Sequence, residues 1–156
     1  FKWMHLSMEK SGSRAVKDSM LENFITYLVT HYASDSDTSG EKQFFEQKAV
    51  LRAKEYIQSH FNENLTIEEI AEHAYLSPFY LSKVFKRETG ISIHKYLNFI
   101  RIDKGRDLLR SGLNPITAAV ETGFVDQSHF THWFKRITGV TPSVYRSAYR
   151  ISKNLQ

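Results

Sequence analysis

The sequence predicts an all-α protein with two helix-turn-helix subdomains joined by a long linker helix and preceded by an N-terminal helical segment. Three observations predict this fold. Apolar residues recur at intervals of three and four along most of the chain, which is the spacing of amphipathic helices. Glycine, proline and short polar residues stand where those helices should begin and end. A stretch of 20 residues recurs 49 residues further along, and no strand pattern is found after residue 40.

The composition limits the classes of protein to which the chain can belong. Of its 156 residues, 41% are hydrophobic and 13% are aromatic, which is enough to fill a core. The absence of cysteine excludes disulfides, thiolate metal sites and cysteine nucleophiles. The apolar runs are too short to span a bilayer, and no export signal opens the sequence. We therefore expect a soluble, cytoplasmic protein, and the start at Phe1 suggests the C-terminal part of a longer chain.

Charge is distributed unevenly along the chain. Residues 1–46 contain 5 Lys and Arg against 7 Asp and Glu, whereas residues 47–156 contain 16 against 10. A basic part beside an acidic part indicates a polyanionic partner for the basic part alone. A solvated surface with a mild excess of cations would give the same count, and charge alone does not decide between the two.

The first 40 residues are predicted to form a segment of their own. Residues 16–32 carry a broad apolar stripe at helical spacing, made of Met20, Leu21, Phe24, Ile25, Leu28 and Val29. Residues 34–40 have nothing to bury and are predicted to be a flexible linker. A new helix follows, marked by Val50, Ala53, Ile57 and Phe61. The sequence thus divides into a helical segment with its linker at 1–40 and a larger domain at 41–156.

The larger domain is a run of helices with clear start and stop signals. Thr66 and Glu69 form a capping box at the start of a short helix. Ser77 caps the next helix, Pro78 stands in its first turn, and Gly90 ends it. The later helices, one of them long and one short at the end, are capped by Ser92, Asn114, Asp126 and Thr141 and stopped by Gly112, Gly123 and Gly139.

Residues 77–96 and 126–145 align without a gap. Six of the 20 positions are identical, namely Phe85/Phe134, Lys86/Lys135, Arg87/Arg136, Thr89/Thr138, Gly90/Gly139 and Tyr96/Tyr145. A short apolar helix and a tight turn precede each copy. The repeat therefore predicts two helix-turn-helix units, at about residues 64–91 and 113–140.

The second helix of each unit has an apolar side and a polar side. Hydrogen-bonding side chains come early on the polar side and cations come later, as in a recognition helix whose first residues meet base edges and whose later cations meet phosphates. We predict base contacts from Phe79, Ser82, Lys83, Gln127, Ser128, Thr131 and His132. We predict phosphate contacts from Lys86, Arg87, Lys135 and Arg136.

Three of these assignments have alternatives. Phe79 either touches a thymine methyl group or sugar, or packs against a neighbouring loop. Arg87 either meets phosphate or pairs with a neighbouring carboxylate, and Lys83 either approaches base edges or is simply solvated. His129 and His132 are three residues apart but lack a third ligand nearby, so no metal site is predicted.

Taken in order, these residues resemble the AraC/XylS family of bacterial regulators over roughly residues 47–150. The matching residues are Ala71, Leu76, Ser77, Leu81, Phe85, Lys86, Gly90, Tyr96, Leu97, Arg101, Ile102, Leu108, Leu109, Gly123, Phe124, Gln127, Ser128, Phe130, Phe134, Lys135, Gly139, Pro142, Tyr145 and Arg146. The resemblance implies two helix-turn-helix subdomains joined by a helix at about residues 93–109. Each subdomain would place one helix in successive major grooves on one face of a duplex. It also implies that a ligand-binding, dimerising domain often precedes this part, with its final helix at residues 16–32.

The chain departs from the family pattern at two places. Gly105 stands where the family usually has alanine, and glycine there should cost about 1 kcal/mol of helix stability unless close packing requires it. The family pattern before Gly123 falls on Pro115, Ala118 and Ala119, whereas the internal repeat pairs Ile116, Ala119 and Val120 with Ile67, Ile70 and Ala71. The sequence leaves both registers of this helix open.

The sequence therefore predicts a sequence-specific regulator of transcription that binds double-stranded DNA. It contains no Gly-rich phosphate loop, metal triad or paired nucleophile and base, so we expect neither an enzyme nor a cofactor. The alternative is a helical protein-interaction module that has lost DNA binding, and the two cationic helices argue against it. The resemblance implies promoter DNA and RNA polymerase as partners, with activation as the commoner mode. No membrane partner is expected.

The apolar stripe at residues 16–32 generates a first testable prediction. Such a face must be buried, either within its own chain or against a second copy. We expect weak self-association through this stripe, which Phe24→Asp shifts to monomer while binding to a single DNA site is unchanged. Sedimentation that finds only monomer at high concentration of the unchanged chain would instead indicate packing within the chain.

Overall fold

A computed structural model describes Thr26 and residues 38–154 of the chain. The chain divides into two compact units, residues 1–46 and residues 47–156, and the packing described below lies within the second. Thr26 is helical, but the rest of the helix predicted at residues 16–32 lies outside the described residues. The domain limits that the sequence gives, 1–40 and 41–156, stay a prediction.

Seven helices follow one another between residues 38 and 154, and no strand occurs in the described part of the chain. They are α1 (Thr38–Ser59), α2 (Ile67–His73), α3 (Pro78–Thr89), α4 (Ile93–Arg110), α5 (Pro115–Glu121), α6 (Gln127–Thr138) and α7 (Pro142–Asn154). The predicted all-α fold with two helix-turn-helix subdomains, α2–α3 and α5–α6, is confirmed. None of the described helices is long and apolar enough to cross a membrane.

Two helix ends differ from the sequence prediction. Helix α1 begins at Thr38, so residues 38–40 are helical where a flexible linker was expected. Glu41 lies in the first turn, where a carboxylate favours the positive end of the helix dipole. Helix α7 has 13 residues and is not short, because no glycine or proline follows Pro142 to end it.

The predicted caps are present. In the capping box, the backbone N–H of Thr66 donates to the Glu69 carboxylate at 2.8 Å and the Thr66 hydroxyl accepts from the Glu69 N–H at 3.3 Å. The donation from Thr66 holds the pKa of Glu69 below its usual range. Gly90 and Gly139 end α3 and α6 in the left-handed region, at φ 76° and 83°.

Two separate hydrophobic cores share α4. The first half of α4 contributes Ile93 and Leu97 to a core formed with α1, α2 and α3. The second half contributes Ile102 and Leu109 to a core that includes Ala118, Ala119, Phe124, Phe130 and Phe134. The long helix is thus a structural member of both subdomains rather than a spacer between them.

The register of α5 follows the family pattern. Ala118 and Ala119 are buried, whereas Ile116 is 60% exposed and Val120 is 68% exposed. Helices α2 and α5 are therefore 48 residues apart, although α3 and α6 are 49 apart. The extra residue lies in the second turn, where Val125 is 91% exposed.

Gly105 is required by close packing. It is buried in α4, and a Cβ atom built on it would lie 2.8 Å from Cε2 of Phe130. Phe130 is itself fully buried, so its ring has no room to retreat. Helix propensity and the family's usual alanine favour a stabilising substitution at this position, whereas this close approach favours the alternative, in which the added methyl group destabilises the protein.

We expect Gly105→Ala to lower the free energy of unfolding by roughly 1–3 kcal/mol, because the overlap outweighs the gain in helix propensity. Phe130→Leu, which places at this position the residue type of the aligned Leu81, should also destabilise the protein because it leaves a cavity. The double variant should lose less than the sum of the two, by about 1 kcal/mol. Denaturant unfolding of all four proteins measures this coupling, and strict additivity would show that the two sites do not meet.

Candidate nucleic-acid interface

Helices α3 and α6 are held in the same way within the two subdomains. The side chain of Ser77 accepts from the Tyr80 N–H at 3.3 Å, and Asp126 accepts from the His129 N–H at 2.7 Å. Each helix buries one face, formed by Leu81, Val84 and Phe85 in α3 and by Phe130 and Phe134 in α6. The opposite face of each is exposed.

On α3, the residues predicted to meet DNA lie on the exposed face. Phe79 is 81% exposed, so it does not pack against a neighbouring loop within the described residues. The Ser82 hydroxyl donates to the carbonyl of Pro78 at 2.9 Å, which leaves its oxygen available as an acceptor. Lys83 and Lys86 are exposed, and no hydrogen bond or ion pair engages their ammonium groups in the described part of the chain.

On α6, the four residues predicted to contact bases share one exposed side of the helix. Gln127, Ser128, Thr131 and His132 border a shallow, open depression of about 440 Å³. Their amide, hydroxyl and imidazole groups can donate and accept hydrogen bonds. The structure thus brings these four together, although their contacts with bases stay a prediction.

The two arginines that follow are already engaged with their own helices. Arg87 pairs with Glu88, with Nε and Nη2 donating to the same carboxylate oxygen at 3.0 and 2.8 Å. The guanidinium of Arg136 lies 5.5 Å from the ring centroid of Trp133. Either arginine would have to break or share its present contact in order to bind a phosphate. Lys135 is exposed and could bind a phosphate directly.

Trp133 anchors a polar cluster beside the second core. The residue is only partly buried, and its Nε1–H donates to Nε2 of His129 at 3.0 Å. The rings of His94 and His132 lie in T-shaped arrangements with the Trp133 ring, at centroid-to-centroid distances of 6.1 and 6.5 Å. The sequence did not pair Trp133 with His129, and the structure joins them.

Two exposed turn residues escaped the sequence analysis. Tyr75 lies within the first turn at φ 56°, and the guanidinium of Arg52 lies over its ring, 4.9 Å from the ring centroid. Val125 is the added residue of the second turn, directly before the Asp126 cap. The first helices of the two units are 48 residues apart and the second helices are 49 apart, and this difference of one residue could have located Val125.

Among the described residues, no group of three or more His, Asp or Glu has metal-binding geometry.

Comparison with known proteins gives consistent matches over this region. A family model described as a helix-turn-helix domain matches residues 70–148. The regulatory protein PocR of Salmonella typhimurium is 38% identical over 125 residues, which cover 80% of this chain and 41% of PocR. The chain therefore spans about two fifths of the length of this relative.

Solved structures agree with the matches in sequence. The C-terminal domain of AraT, a response regulator from Geobacillus stearothermophilus, is 41% identical with a TM-score of 0.60, covering 64% of this chain and 84% of that one. The DNA-binding domain of the global transcriptional factor AdpA, solved with a target DNA, is 24% identical with a TM-score of 0.65, covering 70% of this chain and 99% of that one. At that identity, AdpA is similar in fold alone.

The exposed lysines generate a prediction that separates base contacts from phosphate contacts. We expect Lys83→Ala to relax discrimination at one or two base pairs by roughly 1–3 kcal/mol, because a base-edge contact is lost. Lys86→Ala and Lys135→Ala should weaken binding to all sequences alike and reduce the salt slope by about one each.

Binding isotherms on matched and mismatched duplexes at several salt concentrations measure both the discrimination between base pairs and the salt slope. Lys104→Ala is the control, since Lys104 is exposed on α4, outside both recognition helices. Equal loss of discrimination from Lys83, Lys86 and Lys135 variants would contradict the assignment.

Proposed function

Because the chain belongs to the AraC-type helix-turn-helix family of transcription regulators, we propose that it recognises a promoter site by inserting α3 and α6 into successive major-groove segments. The observation that carries the proposal is the repeated exposed face. Both helices bury one side and expose cations near their ends; Phe79 and Ser82 precede these cations in α3, and short polar side chains precede them in α6. An α-helix fits the major groove, where each base pair displays a distinct pattern of donors and acceptors.

The two units offer different chemistry to the bases. Phe79 and Lys83 present an apolar surface and a cation, which suit a thymine methyl group and a guanine edge. The surface formed by Gln127, Ser128, Thr131 and His132 presents amide, hydroxyl and imidazole groups and no lysine or arginine. An asymmetric DNA site, with two unlike half-sites, follows from this difference.

Further parts of the proposal rest on the family rather than on geometry. We propose that RNA polymerase is a second partner, that activation is the mode of regulation and that the protein acts in the cytoplasm, where bacterial promoters are found. The proposal includes no catalytic activity. Self-association through residues 16–32 belongs here as well, since that stripe lies outside the described residues.

Selection of bound sequences from a random DNA pool, followed by footprinting, tests the proposal. We expect protection of two adjacent major-groove segments on one face of the duplex, about 34 Å apart. Affinity should fall steeply with salt, because cations that meet phosphates release counterions. Protection of one segment alone at saturating protein would overturn the two-unit arrangement. Absence of any salt-sensitive DNA binding would favour the protein-interaction module instead.

A further inference from the structure

A buried guanidinium lies where the two subdomains meet. Arg101 of α4 is only 9% exposed, and burial lowers its pKa. Its Nε donates to the carbonyl of Phe61 at 2.7 Å, and its Nη2 donates to the carbonyl of Glu63 at 2.8 Å. Viewed down α4 at about 100° per residue, the face toward the second core lies roughly opposite the face toward the first, and Arg101 falls between them.

The carbonyl group of Asn62, between Phe61 and Glu63, points toward the second subdomain. A Cβ atom built on Gly123 would lie 2.6 Å from the carbonyl oxygen of Asn62, so the α5–α6 turn packs directly against this backbone. The next residue of that turn, Phe124, lies with its ring centroid 5.7 Å from the Arg101 guanidinium. Residues 61–63, which we call the junction loop, are therefore held by α4 on one side and by the second turn on the other.

The junction loop is also fixed to the first subdomain. It begins two residues after the end of α1, and the Glu63 N–H donates to the carbonyl of His60 at 3.0 Å. Because the loop is tied to α1, Arg101 links the first subdomain to α4 at the point where α4 passes to the second core. The second turn, which directly precedes α6, rests on the same backbone.

We propose that Arg101 is a positioning residue that fixes the distance and rotation between α3 and α6, and so restricts the protein to DNA sites with one spacing between half-sites. The DNA part of this inference rests on the proposed function. One inserted base pair separates two half-sites further and rotates them by roughly 35° about the duplex. A rigid junction cannot follow that rotation, whereas a loosened junction can.

Arginine suits this role because its planar group offers several donors in a fixed geometry. Two carbonyls of the junction loop receive separate N–H groups, which fixes the loop in distance and in orientation. Lysine keeps the charge but not this geometry, and methionine keeps the apolar stem alone. Arg101→Lys and Arg101→Met should therefore loosen the junction in graded fashion.

The first test measures the junction without DNA. The chain has no cysteine, so Lys86→Cys and Lys135→Cys introduce two unique spin-label sites at equivalent positions of α3 and α6. We expect a narrow distance distribution with Arg101 and a clearly broader one with Arg101→Met. The matched control is Lys104→Met, which removes one cation from the exposed side of the same helix and should leave the distribution narrow.

The second test measures the spacing preference on DNA, without spin labels. Affinity is compared between the selected site and the same site with one base pair inserted or removed between its halves. We expect a loss of roughly tenfold with Arg101 and with Lys104→Met, and a loss of about threefold with Arg101→Met. The ratio comes from one preparation of each variant, so it does not depend on the fraction of folded protein. If Arg101→Met fails to fold, the same ratio of affinities is measured with Arg101→Lys.

The two tests separate the junction from DNA recognition. Distributions that stay equally narrow in every folded Arg101 variant overturn the positioning role, whatever happens on DNA. An unchanged spacing penalty in those variants overturns the restriction on DNA sites and leaves two-helix recognition intact. A broadened distribution without any spacing preference in the unchanged protein supports the junction and overturns simultaneous engagement of two half-sites.

Discussion

One helix completes both hydrophobic cores, and this sharing limits how the rest of the chain can be arranged. Helix α4 turns one face to the first core over its first half and another face to the second core over its second half. Neither subdomain can bury its apolar side chains without it, so the two subdomains cannot separate without exposing core residues to water. The buried guanidinium of Arg101 lies where α4 changes from one core to the other.

The second core reaches close packing with larger side chains than the first. Phe130 and Trp133 stand where the first unit has Leu81 and Val84. Small residues compensate on the facing helices, since Gly105 leaves space for the Phe130 ring and the buried face of α5 consists of Ala118 and Ala119. The two units therefore contain the same order of helices, with side-chain volume distributed differently among them.

The sequence predicted those parts of the fold that depend on local chemistry. Caps such as Thr66 and stops such as Gly90 act within a few residues of themselves, and the structure shows them where the pattern placed them. The register of α5 could not be chosen, because an exposed Ile116 and a buried Ala118 are both compatible with one helix. The predicted DNA-facing residues lie on the exposed sides of α3 and α6, which follows from helical periodicity alone. The surroundings of Gly105 and the partners of Arg101 come from distant residues, which spacing along the chain does not reveal.

The equivalent turn residues Tyr75 and Gly123 show that the two units are no longer interchangeable modules. Both turns pass through the left-handed region, at φ 56° and 74°. The first has open surroundings and accepts a tyrosine, whereas the second lies against the backbone of Asn62 and has no space for any side chain. A gene-conversion event that copied the first turn into the second would therefore break the packing between the subdomains. The second turn therefore requires glycine at this position, and the two turns cannot be exchanged without repacking the contact between the subdomains.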